Sequence, residues 1–373
     1  MIQFSSSYVS LSIDNLAFVV AVGIDVGDNQ NLKVSFQFSD ISSSNESGSS
    51  GKSNATTYSF ESSSITGAIN LVNSYVAKQI NLSHCKIIVF SEELAANGIA
   101  NEIYTLINNV QIRPSTNIVI SKCDAKYYLE NSIANLENLI TKYYNFFPNS
   151  GNYTGYTYNA TIGDFFQSIT CKTCQPIGIL GSTLDDDSNI DGDRDSKNIG
   201  LAVFKDYKLV GELDSTETIC FSILKNKISS FIITIPNPKS KENNDFLTIN
   251  LFPKSDSKYD SKIVNGTPYI SITSSFVGRI YTMTPDSDYT SPDTLKEISQ
   301  LANKYLETIM KNYLYKTSKE FKSDINGFGK SVLSKFSTSQ DFENYNWLDN
   351  YKNSFFNVKM DCTIKSGFLL TQT

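Results

Sequence analysis

The residues with the most chemical potential in this chain are Cys171-Lys172-Thr173-Cys174, two thiols at the spacing of half a zinc ribbon or of a redox dithiol. The other four cysteines, Cys85, Cys123, Cys220 and Cys362, stand singly, so no second pair completes a tetrahedral metal site. Free thiols and a local disulfide are the readings left ahead of metal. The chain has one histidine, His84, which excludes a two-histidine metal site and excludes any catalytic triad that His84 does not carry alone. Cys85 beside it invites a Cys/His nucleophile, but consecutive residues on a strand point to opposite faces, and the reading favoured is a strand-entry histidine that packs or hydrogen-bonds.

Two acidic features call for the same test. From Asp187 to Asn198 the sequence Asp-Ser-Asn-Ile-Asp-Gly-Asp-Arg-Asp-Ser-Lys-Asn places oxygen ligands at alternate positions and a glycine at the sharp turn, like the first half of a calcium loop. Its twelfth position is Asn198 in place of a bidentate glutamate, and no amphipathic helix flanks it, which favours a solvated linker. Glu92 and Glu93 are paired carboxylates only in sequence. At a helix start, consecutive acidic residues serve the helix dipole and do not face one another. Glycine-rich phosphate loops, a dinucleotide fingerprint and a zinc-hydrolase helix have no match. No catalytic residue, no metal ligand and no cofactor is assigned, and the binding residues are unknown.

The elements that would position these groups follow from hydrophobic periodicity. Leu16 to Ile24 and the alternating Leu32, Val34, Phe36 and Phe38 predict two strands joined at Gly27-Asp28-Asn29. The Ser/Gly/Asn tract from Ile41 to Ser53 predicts a mobile loop, and Tyr58 and Phe60 a third strand. Ser64 predicts the cap of a helix carrying Ile65, Ile69, Val72, Val76 and Ile80. A buried strand over Lys86–Phe90 and another over Asn117–Ser121 follow, with Ser91 and Asp124 as caps of the helices after them. Beyond the polar, acidic stretch the pattern turns to strands: Leu201–Phe204, Lys208–Val210, Phe231–Ile235, Leu247–Phe252 and Tyr269–Met283, punctuated by prolines such as Pro253 and Pro268. Ser291, Pro292 and Asp293 then start the clearest helix, predicted to run to about Phe321 with Leu295, Ile298, Leu301, Leu306, Ile309, Tyr313 and Leu314 on its apolar face. Its Lys304, Lys311, Lys319 and Lys322 with Glu297, Glu307 and Glu320 read as a solvated face. Phe355–Ile364 is a last strand.

With 373 residues, 40% hydrophobic and 19% charged, the chain can bury a real core and should divide into two or three domains. A formal net charge of −6 argues against nucleic acid and against a basic surface for anionic lipid. No stretch reaches the ~20 apolar residues that span a bilayer, and no secretory signal opens the chain. The expected fold is α/β and α+β multidomain: an N-terminal mixed-sheet α/β domain over residues 8–183, an acidic linker over 184–198, a β-rich middle domain over 199–268 and an α+β C-terminal domain over 269–373 with the long helix 292–321.

The segment Ser323-Asp324-Ile325-Asn326-Gly327-Phe328-Gly329 closes the long helix and precedes the only tryptophan, Trp347. Asp324 can accept backbone N–H groups, and Gly327 and Gly329 permit positive φ around Phe328, which predicts a helix-terminating turn that packs Phe328, with a partner-contact loop as the alternative. Read in order with Leu82–Ala95 and with Gly200–Asp214, this segment resembles the C subunit of spore germinant receptors, the Ger(x)C lipoprotein family, over about Ile13 to Gly367. Asp324, Gly327, Phe328, Gly329 and Trp347 are the family-motif positions, read as mostly structural. The resemblance implies a non-enzymatic receptor subunit on the outer face of the spore inner membrane, held by a lipid on a cysteine and working with the integral-membrane A and B subunits to answer a nutrient germinant. No cysteine precedes Cys85, so Met1 is expected to begin a trimmed ectodomain whose anchor lies upstream. The alternative function is an extracytoplasmic small-ligand or calcium-binding module.

Overall fold

A near-continuous apolar run is what a strand buried on both faces requires, and Leu16–Val26 forms one, β1, with Val19, Val20, Ala21, Val22 and Ile24 all buried. The computed structural model describes residues 15–28, 31–39, 55–132, 139–183, 196–238, 245–281, 289 and 291–365. Both the Ile41–Ser53 loop and the acidic stretch up to Asp195 lie outside these residues. The chain forms two compact units, residues 1–95, 99–145 and 182–197 in the first, 96–98, 146–181 and 198–373 in the second.

In the first unit β1 pairs antiparallel with β2 (Leu32–Ser39), and β2 with β3 (Ala55–Ser62). Helix α1 (Ile65–Tyr75) returns the chain, its first turn capped by Ser64, whose Oγ accepts Gly67 N at 3.1 Å. The short β4 (Gln79–Asn81) and the fully buried β5 (Ile87–Ser91) then lie parallel to β1. After α2 (Glu92–Asn97) and α3 (Ala100–Ile107), β6 (Asn117–Ser121) joins parallel to β5, so the sheet is mixed as expected. Helix α4 (Ala125–Asn131) starts differently from its sequence. Asp124 occupies the cap position but makes no capping bond; the carboxylate of Asp25 on β1 receives Ala125 N at 2.6 Å and Lys126 N at 3.1 Å instead. Ser91 likewise precedes α2 with its buried Oγ unbonded. A carboxylate one hundred residues away in sequence can replace a local cap only because the sheet brings it to the helix end.

Helix α5 (Ile140–Thr154) leads from the first unit to the second, where α6 (Ile162–Thr170), capped by Thr161, runs into the two-cysteine segment and then β7 (Ile177–Thr183). The two-residue β8 (Ser196–Lys197) pairs with the end of β7. Strands β7, β9 (Leu201–Lys205) and β10 (Lys208–Leu213) pair antiparallel. Helix α7 (Ser215–Leu224) follows, held by a reciprocal capping box in which Asp214 accepts Glu217 N at 2.8 Å and Glu217 accepts Asp214 N at 2.9 Å. The sequence pattern suggests only strands here, and α7 corrects it.

A second sheet has the order β11 (Phe231–Pro236), β12 (Phe246–Val264), β13 (Thr267–Ile280) and β14 (Phe355–Lys365), antiparallel except for the parallel β13–β14 pair. Strand β12 is much longer than Leu247–Phe252. Pro253, read as punctuation, sits at a register shift of the β12–β13 ladder, where a residue without N–H is tolerated. The long helix α8 (Pro292–Tyr315) is capped by Ser291, with Pro292 in its first turn, and five further residues to Glu320 continue as a π turn. Ile298, Ala302, Leu306, Met310, Tyr313 and Leu314 are its buried face in the core of this unit.

Glu307 corrects the solvated-face reading of α8. Its Oε1 accepts Met360 N at 3.2 Å, Asn303 Oδ1 accepts Cys362 N at 2.7 Å and Ser299 Oγ accepts Ile364 N at 3.2 Å. Residues four apart on a helix thus meet alternate amides of β14, so its edge donors are occupied by side chains. The short helices α9 (Gly329–Leu333), α10 (Ser339–Tyr345) and α11 (Trp347–Asn350) complete the unit before β14.

Candidate functional site

At the end of the π turn the chain reverses through Lys322, whose φ is 53°, and Ser323 N donates to Thr317 O at 3.0 Å. This brings Asp324, fully buried, into the centre of a loop that wraps around its carboxylate. Oδ1 accepts Gly327 N at 2.9 Å and Phe328 N at 3.1 Å; Oδ2 accepts Gly329 N at 2.9 Å and Trp347 Nε1 at 2.8 Å. Burial pushes the Asp324 carboxyl above the usual carboxylate range, while the bonds from Gly329, Trp347 and Phe328 and the charge of Lys225 hold it back. All four contacts are donors, so the group that fits this nest is the carboxylate.

The two glycines have different jobs. Gly327 has φ of +78°, which a side chain resists, whereas its missing Cβ would lie 3.6 Å from Cys174 Cβ, an ordinary contact. Gly329 is not at positive φ, contrary to the sequence expectation. A Cβ there would sit 2.4 Å from the Trp347 ring and 2.7 Å from Thr173 O, so glycine is required for the close approach of the indole. Phe328 is buried and meets Tyr259 edge-on at 5.1 Å, with Tyr351 and Phe356 around it. Asp324, Gly327, Phe328, Gly329 and Trp347 therefore form one packed assembly.

The two-cysteine segment is stitched to this assembly. Gln175 N donates to Asp324 O at 2.9 Å, and the Gln175 amide is bonded to Asp206 in the β9–β10 turn. Cys171 forms the C-cap of α6; its Sγ lies 3.0 Å from Thr173 Oγ1 and receives Thr173 N at 3.4 Å. Both cysteines are free, partly exposed thiols. They line a cavity of about 580 Å³ together with Tyr158, Asp164, Phe221 and Lys225. Lys225 Nζ donates to Asn326 O at 3.2 Å and lies 5.5 Å from the Phe221 ring centre, and burial lowers its pKa.

The family model described as "Spore germination protein N-terminal domain" matches residues 10–177, and that described as "Spore germination B3/ GerAC like, C-terminal" matches residues 199–367. Together they span both halves of the chain in order. The chain belongs to the Ger(x)C family of spore germination proteins. It is 25% identical over 348 residues to spore germination protein KC of Bacillus subtilis (strain 168), covering 87% of this chain and 82% of that one. The crystal structure of the GerBC protein has the same fold, with a TM-score of 0.56 at 16% identity over 92% of this chain and 96% of that one.

The remaining residues singled out from the sequence are not part of this packed assembly. His84 and Cys85 lie in the turn before β5 and not on the strand itself. The exposed imidazole stacks on Phe18 at 4.4 Å, while the buried Cys85 thiol donates to Ile87 O at 3.3 Å and is pushed up to about 12 by burial. Glu92 and Glu93 are exposed in the first turn of α2. Asp187 to Asp195 of the calcium-like stretch fall outside the described residues, and among the described residues no group of three or more His, Cys, Asp or Glu side chains could hold a metal. Among the described residues no helix is long and apolar enough to cross a membrane. Lys225 and Gln175 escaped the sequence analysis, because their roles depend on segments far apart in the chain. The capping box Asp214–Glu217 was visible as a motif and would have located α7.

Proposed function

We propose that this chain is a non-enzymatic C subunit of a nutrient germinant receptor. It stands on the outer face of the spore inner membrane, held there by a lipid on an upstream cysteine, and contacts the integral-membrane A and B subunits. The observation that carries this reading is the ordered match of both family models across residues 10–177 and 199–367. The motif that marks the family in this chain is a buried, fully packed turn, which suits a scaffold for an interaction surface better than a catalytic centre. Spores lacking the gene, tested one nutrient at a time with A- and B-subunit levels followed in the same membranes, provide the test. Selective loss of response to one germinant class is expected. Unaltered germination to every nutrient, in spores whose other receptors are also deleted, would overturn it.

One observation favours a second reading, a small-ligand binding module of extracytoplasmic setting. The cavity of about 580 Å³ has the size of ordinary ligand sites and carries a half-buried cation, Lys225, on its wall. Saturable heat from amino acids or sugars on the purified chain would support it. Calcium belongs in the same titration, since Asp187–Asn198 supplies the ligand types of half a calcium loop.

A further inference from the structure

We propose that Cys171 and Cys174 form a thiol–disulfide exchange site that takes oxidising equivalents from low-molecular-weight disulfides, with Cys171 as the attacking thiol and Cys174 as the resolving thiol. This goes beyond the receptor reading and does not depend on it.

Three independent features carry the proposal. The Cys-x-x-Cys spacing sets the two cysteines three residues apart at the end of α6, where Cys171 is the C-cap, and both line the same cavity. Both side chains are partly exposed and open onto the cavity of about 580 Å³, which has room for an amino-acid-sized disulfide such as cystine. The thiols are also unequal in the way exchange chemistry uses. Burial alone would raise the Cys171 thiol, but its polar surroundings, among them Thr173 Oγ1 at 3.0 Å and Thr173 N at 3.4 Å, outweigh it, and Cys171 lies below the ordinary thiol range. Burial, and then the neighbouring Cys171, push Cys174 up to about 12. By contrast Cys85, Cys220 and Cys362 are buried with raised values, the pattern of inert thiols.

The chemistry balances with the disulfide as oxidant. Cys171 thiolate attacks one sulfur of cystine; the cystine S–S bond breaks, a mixed disulfide forms on Cys171, and one cysteine thiolate leaves and takes a proton. Cys174 loses its proton, attacks Cys171 Sγ and expels the second cysteine. The chain then carries a Cys171–Cys174 disulfide, two protein thiols have been oxidised, and one cystine has been reduced to two cysteines. The Lys225 ammonium, near enough to both thiols for their charges to act on it, faces the leaving thiolate and the carboxylates of cystine across the same cavity.

The test uses the purified, reduced full chain with cystine, followed by peptide mass spectrometry and by alkylation with iodoacetamide across pH. The expected product lacks two hydrogens and contains the Cys171–Cys174 peptide disulfide. Cys174→Ser is expected to accumulate the mixed disulfide on Cys171, and Cys171→Ser to form none at position 174. In the wild type Cys171 should alkylate fastest of the six cysteines, with its rate rising at lower pH than that of free cysteine. Alkylation of Cys171 no faster than free cysteine, absence of the intramolecular disulfide, or protection of both thiols by zinc without disulfide formation would each overturn the assignment. Because alkylation is read on the unmutated chain, a variant that fails to fold does not leave the proposal undecided.

Discussion

Substituting Asp324 by Asn keeps the shape of the side chain but changes what it can accept. Four donors meet the carboxylate: Gly327 N and Phe328 N on Oδ1, Gly329 N and Trp347 Nε1 on Oδ2. An asparagine can keep its oxygen toward one pair, but its amide then points N–H groups at the other pair. Two buried donors lose their acceptor, each worth about 1–3 kcal/mol, so the expected loss is about 2–6 kcal/mol before relaxation. Removing the cost of burying a charge offsets part of this, since burial dominates the Asp324 shift, and we expect a net destabilisation of about 2–4 kcal/mol. That is a large share of the 5–15 kcal/mol typical of a folded domain. The assay is urea unfolding followed by tryptophan fluorescence, because Trp347 is the only tryptophan and one of the four donors. An unfolding free energy within ~0.5 kcal/mol of wild type at unchanged m-value would refute the view that the carboxylate organises this turn.

Other consequences follow from the same contacts. Gly329→Ala should cost ~2–3 kcal/mol or more and shift native Trp347 emission, because its Cβ collides with the indole, whereas Gly327→Ala should cost only ~1 kcal/mol for the positive φ and leave emission unchanged; urea melts and native spectra distinguish them. Asp214→Ala removes half of the α7 capping box and should lower stability by ~1 kcal/mol in the same melts. Asn303→Leu uncovers the Cys362 amide on β14 and should cost ~1–2 kcal/mol and raise the rate of aggregation measured by light scattering, while Lys304→Leu should leave stability within ~0.5 kcal/mol. The Asp324 carboxyl titrates above its unfolded value of about 3.9, so the unfolded chain ionises first as pH rises and wild-type stability falls across that acidic window. Asp324→Asn does not titrate at this site, and its stability should therefore vary less with pH than that of wild type across the same window in pH-dependent melts.

The sequence alone determined the elements whose signal is local. An unbroken apolar run gave β1, the Ser64 and Ser291 caps with 3.6-residue periodicity gave α1 and α8, and an ordered set of short motifs gave the family. These readings need only near neighbours, because caps, periodicity and turn residues act within a few positions. What the sequence left open was every interaction whose partner is distant. Asp25 in place of Asp124 as the cap of α4, Pro253 inside a long strand and Glu307 on an edge amide each follow from pairings made by the folded sheets. The same holds for the motif itself. Asp324 and two glycines could be read as a turn, but only the tertiary structure decided that Trp347, twenty-three residues on, completes the carboxylate's set of donors, and that Cys174 and Thr173 lie against Gly327 and Gly329. A buried carboxylate must find all its donors wherever the fold presents them, and that requirement is written in three dimensions.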